Sequence, residues 1–147
     1  MRKKVIGILA FGYSLVIAAM TLGPQPSTET TNDWALAVIG IIDRHLAASF
    51  DYSDLEFLGN IALFLPLGVL LILLLGRGRW WVVVLIGVAA TCGIEFAQHY
   101  IPTRVPDVRD LVANSTGAIV GVLIGLPFAH TRRADASPTT GSQPAIG

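Results

Sequence analysis

Charge is the scarcest commodity in this chain. Of 147 residues only 14% are Asp, Glu, Lys or Arg, against roughly a quarter in a soluble domain. The formal net charge is zero, which argues against a nucleic-acid partner, whose recognition needs a basic surface. A single cysteine, Cys92, excludes an intramolecular disulfide and belongs to no metal motif. Lying inside an apolar run, it is expected to be a buried, inert thiol. There is no nucleophile motif, no histidine pair at metal spacing and no phosphate-binding glycine loop, so no cofactor is evident.

Long apolar runs take the place of charge. Mean hydropathy is +0.65 and 53% of residues are hydrophobic. Four runs stand out: Val5–Leu22, Phe57–Leu75, Trp81–Ile101 and Leu111–Ala129. Each is close to the ~20 residues that a helix needs to cross ~30 Å of hydrocarbon. The expected fold is therefore all-α, an integral membrane four-helix bundle forming one domain over residues 1–131. The first run could instead be a signal peptide, given its basic start and Ala18-Ala19, although it is longer than a usual signal core. Residues 132–147, rich in Ser, Thr, Pro and Gly, have nothing to bury and are expected to form a disordered tail.

The basic residues assign an orientation. In a four-span arrangement Arg2, Lys3, Lys4, Arg77, Arg79, Arg132 and Arg133 fall on one side and Arg44, Arg104 and Arg109 on the other. That bias puts both termini in the cytoplasm. Trp80-Trp81 suits an inner interfacial anchor, and of the acidic residues only Asp135 lies on that side. The external segment 34–50 is apolar but interrupted by Asp43, Arg44 and His45. It is too short and too charged to span, and is expected to be an interfacial or re-entrant helix, with His45 a solvated interfacial side chain.

Against this background a few polar residues are out of place. Glu56 and Asn60 open the second span, four residues apart and so on one helical face. Glu95, Gln98 and His99 share a face near the end of the third, as do Asp107, Asp110 and Asn114 at the start of the fourth. All lie at one depth, in the outer half of the bilayer, where polar groups are expensive and turn toward one another rather than lipid. Glu95 sits about 9 Å from its helix end at 1.5 Å per residue. It is expected either to pair with Arg104 or Arg109 or to be neutralised.

Other features frame the cluster. Gly117, Gly121 and Gly125 continue the face of Asn114 as a close-packing stripe. Pro66 and Gly68 predict a kink in the second span. The link from Ile101 to Asp107 is stiffened by Pro102 and Pro106. It holds Arg104 either as an anion clamp or as part of a salt-bridged turn. Glu56-x-x-x-Asn60 and Asp110-x-x-x-Asn114 echo each other faintly, as a parallel duplication of a two-helix unit would.

These residues carry a resemblance. Gly59-Asn60 precedes Phe64-Leu-Pro66-Leu-Gly68. Glu95-Phe-Ala-Gln98 and Ile101-Pro-Thr-Arg104 follow, then Asp107-Val-Arg-Asp110 with Asn114 and Gly117. In this order and spacing the stretch from Glu56 to Gly125 resembles the VanZ-like membrane protein family. The resemblance implies a small protein of the bacterial inner membrane, in a family named for low-level resistance to teicoplanin, a lipidated glycopeptide. It implies no reaction.

Three readings stay open. In the first, Glu56, Asn60, Glu95, Gln98, His99, Arg104, Arg109, Asp110 and Asn114 bind an envelope lipid, a lipid-linked cell-wall precursor or a lipoglycopeptide at the outer leaflet. The arginines would hold phosphate or carboxylate, and the acids and amides would hold amine, sugar or peptide groups. In the second, Glu95, Asp107 and Asp110 act as general acid and base, or hold a divalent cation to which His99 adds a nitrogen. In the third, a transporter subunit or structural helper uses the polar groups only as interhelical glue.

Overall fold

The computed structural model describes residues 2–23, 40–41, 51–102 and 107–131. Among these all the regular secondary structure is helical. Four helices carry the fold: α1 (Arg2–Leu22), α2 (Tyr52–Leu75), α3 (Trp80–Gln98) and α4 (Val108–Gly125). All four are long and apolar enough to cross a membrane. Segment 34–50, apart from Gly40 and Ile41, lies outside the described residues, as do Arg104 and residues 132–147.

Local chemistry sets the helix ends. α2 begins five residues before the apolar run because Asp51 caps it. Asp51 accepts the Asp54 N–H at 2.9 Å, and the Asp54 carboxylate accepts the Asp51 N–H at 3.4 Å, a reciprocal capping box. α4 is capped by Asp107, whose carboxylate accepts the Arg109 N–H at 2.8 Å. Between α2 and α3, Gly76 adopts φ +88°, a conformation that disfavours any side chain. The following turn is pinned by the Arg77 N–H donating to the His130 carbonyl at 3.1 Å.

The four helices pack as a bundle in which α2 and α4 lie closest. A Cβ on Gly117 would come within 2.3 Å of the Ile61 carbonyl oxygen, and one on Gly121 within 2.1 Å of that of Leu65. Gly68 meets the Ala118 carbonyl in the same way. The register 61–117, 65–121, 69–125 makes these two helices parallel. α3 runs antiparallel to α4, with Gly87 against Ala118 and Thr91 against Asn114. α1 runs antiparallel to α2 and presents Ala10, Ile17 and Thr21 inward.

The apolar interior is small: Ile17, Phe64 and Leu67 form one cluster, and Ile72, Val83, Val122 and Ala129 another. Large apolar side chains such as Ile8, Phe11, Leu85, Phe96 and Leu123 instead face outward. That inversion is what a hydrocarbon solvent permits. Cys92 is a correction to its expected burial. Its face of α3 turns away from the bundle, and the thiol is exposed there.

Candidate functional site

The two ends of the bundle differ in sign. Among the described residues, Arg2, Lys3, Lys4, Arg77 and Arg79 gather at one end, without an acid. At the other end stand Asp51, Asp54, Glu56, Glu95, Asp107 and Asp110, with Arg109 the one arginine or lysine among the described residues there. At that acidic end a cavity of about 440 Å³ opens between all four helices.

α2 contributes Glu56, Gly59 and Asn60 to its wall, α3 contributes Ile94, Glu95 and Gln98, and α4 contributes Asp110 and Asn114. The three polar faces read from residue spacing thus meet around one space. Asn60 Nδ2 donates to Asp110 Oδ1 at 2.7 Å, joining α2 to α4. Asn114, only 2% exposed, sits one turn deeper and donates from Nδ2 to Thr91 Oγ1 at 3.0 Å, joining α4 to α3.

Glu95 is not paired with Arg109, which turns to Ser53 and Asp54; the other expected arginine, Arg104, lies outside the described residues. The Glu95 Oε2 accepts the backbone N–H of Asp107 at 3.0 Å, tying the end of α3 to the cap of α4. Its Oε1 and the Oδ1 of Asn114 are closed off from solvent with no hydrogen-bond partner. An orphaned buried acceptor of this kind costs about 1–3 kcal/mol until a donor reaches it.

Three of the nominated residues stand outside the cavity wall. The Arg109 guanidinium reaches back to α2, where it contacts Ser53 Oγ and Asp54 at 3.6 Å and lies 5.8 Å from the Phe57 ring centroid. His99 is exposed, and its ring sits edge-on to Tyr100 at 5.6 Å. The Asp107 carboxylate is taken up in capping α4. Arg104 lies outside the described residues. Among those residues no three His, Cys, Asp or Glu side chains form a group that could hold a metal ion.

The contribution of α1 escaped the sequence reading. Tyr13, Met20 and Thr21 line the cavity. The Tyr13 hydroxyl donates to the Leu63 carbonyl at 2.9 Å, and Gln98 Nε2 donates to the Thr21 carbonyl at 2.9 Å. Leu63 adjoins Ala62, whose carbonyl loses its helical donor because Pro66 has no N–H. The signal for α1 was faint: a tyrosine and a threonine eight residues apart in an otherwise apolar helix. Thr91, fully buried, was missed for the same reason.

A family model described as VanZ/LLP1 matches residues 8–129, a stretch that includes all the cavity-lining residues. No curated protein and no solved structure matches the chain.

Proposed function

This chain belongs to the VanZ/LLP1 family, and from that premise we propose that it binds or modulates an envelope lipid or lipid-linked cell-wall precursor through the four-helix cavity. The carrying observation is the cavity itself. Polar groups from α2, α3 and α4 converge on a space far larger than their mutual hydrogen bonds require. Side chains that served only as glue would close on one another.

The charge asymmetry of the two ends supports a location. With the basic end in the cytoplasm, as loop charge favours, the cavity opens toward the outer leaflet of a bacterial inner membrane. Lipid-linked precursors and a lipoglycopeptide such as teicoplanin meet at that surface. Low-level resistance would then be one consequence of occupying the site.

A second reading is favoured by the interhelical bonds Asn60–Asp110, Asn114–Thr91 and Gln98–Thr21. They could serve a structural helper without any ligand. Glu95→Gln, Arg104→Gln and Asp110→Asn separate the two readings when membrane abundance, unfolding midpoint and teicoplanin susceptibility are measured together. Normal abundance and midpoint with at least a fourfold change in susceptibility supports a binding site. Loss of folded protein in all three supports glue.

A further inference from the structure

We propose that the basic end of the bundle carries a site of its own, a groove between α1, α2 and the end of α4 that holds the head group of an anionic phospholipid. This does not rest on the cavity at the acidic end, and it stands whether or not that cavity is occupied.

The groove follows from how the chain closes after α4. At Pro127, which has no N–H to continue the α-helical ladder, α4 gives way to a single 3-10 turn, Leu126–Phe128. The chain then folds back onto the link between α2 and α3. The His130 carbonyl accepts the Arg77 N–H at 3.1 Å, and its ring packs on Gly76, where a Cβ would lie 3.0 Å from Nε2. His130 is thereby fixed at the meeting of two openings. The larger, of about 220 Å³, is lined by Lys3, Ile6, Leu73, Phe128 and His130. The smaller, of about 40 Å³, shares His130 and adds Arg79.

Charge and position select the occupant. Lys3 and Arg79 are exposed, and among the described residues this end of the bundle holds no acid. The sequence beyond them, residues 132–147, brings Arg132 and Arg133 against Asp135. An anion is attracted here, and a cation meets no counter-charge among the described residues. The remaining wall is apolar, supplied by Ile6, Leu73 and Phe128. A small soluble anion would leave that wall uncovered, whereas the ester and first methylenes of a lipid would cover it. Phe128 is 78% exposed, so the groove opens sideways to hydrocarbon. Trp80 and Trp81, which follow Arg79 directly and are about half exposed, suit head-group depth. The volume lies below the roughly 300–1,000 Å³ of sites that enclose a whole small molecule. That suits a head group whose chains stay in the bilayer, and basic grooves between membrane helices are a known mode of holding one.

The test uses the full chain in phosphatidylcholine nanodiscs into which phosphatidylglycerol is titrated, with the thermal unfolding midpoint as readout. Glycerol 3-phosphate, the same phosphate without chains, is titrated into the bath of a parallel series. Phosphatidylglycerol is expected to raise the midpoint in a saturable way, and glycerol 3-phosphate to leave it unchanged. Lys3→Gln is expected to raise the half-saturating lipid fraction roughly fivefold, the effect of one basic residue at an anionic surface. Arg79→Gln should act in the same direction, and keeps the test open if Lys3→Gln fails to fold. Lys4→Gln makes the same charge change one residue on, about 100° round the helix, at a position outside the groove lining. It should shift the fraction less than twofold. An equal shift in Lys4→Gln would mean diffuse attraction to the basic end and overturns the site. A matching response to glycerol 3-phosphate would mean a soluble anion and overturns the lipid. A midpoint that ignores phosphatidylglycerol overturns the proposal outright.

Discussion

Asn60 and Asp110 meet at 2.7 Å between two parallel helices, in a part-buried position on the cavity wall. Hydrogen bonds of this kind inside membranes are worth about 0.6–2 kcal/mol. A double-mutant cycle with Asn60→Ala and Asp110→Ala, read by unfolding in mixed micelles, is expected to give a coupling energy in that range. Asn114–Thr91 should behave alike, while Arg109 and Asp54, both substantially exposed and 3.6 Å apart, should couple by less than about 1 kcal/mol. The residues of the wall were largely legible beforehand because charged and amide side chains are conspicuous in apolar runs. Glu56, Asn60, Glu95, Gln98, Asp110 and Asn114 were found by type and spacing alone. Direction was harder to read. Arg109 shares the start of α4 with Asp110, yet a step of one residue rotates it about 100° round the helix, toward Ser53 and Asp54. Tyr13 and Thr21 carry no charge, so nothing in their composition distinguished them from residues facing lipid.

At the scale of elements, the α2–α4 contact decides whether the cavity exists, because it sets how closely two of its four walls approach. A methyl on Gly121 would lie 2.1 Å from the backbone oxygen of Leu65, and backbone cannot rotate away as a side chain can. Gly121→Ala is expected to lower stability by about 1–3 kcal/mol. Gly12→Ala, with nothing within 4 Å of the added methyl, should stay within about 0.5 kcal/mol of wild type. Thermal unfolding of both variants in one detergent checks the contrast. The helices themselves were visible as apolar runs, and the observed bounds fall within a few residues of them. Their ends were not, since hydropathy marks where lipid begins and capping marks where the helix begins. Asp51 and Asp54 extend α2 beyond the apolar run through a capping box. Asp51→Ala is expected to remove about 0.5–2 kcal/mol, read by the same melt.

Viewed whole, the molecule is a polarised bundle with a basic end, an apolar waist and an acidic end that opens into a cavity. Orientation follows from that polarity if the positive-inside rule holds for it. In a Cys92→Ser background, Ser53→Cys is expected to react with a membrane-impermeant maleimide on intact cells. Gly78→Cys should react only after the cells are opened. The reverse pattern would turn the cavity toward the cytoplasm. The central claim, that the cavity holds a ligand, is tested most directly by native mass spectrometry of the purified full chain released from nanodiscs of its host membrane lipid. Wild type is expected to carry a discrete lipid adduct. Glu95→Gln/Asp110→Asn is expected to lose at least nine-tenths of its occupancy while unfolding within a few degrees of wild type. An adduct retained equally by both proteins, or none on either, would contradict the claim.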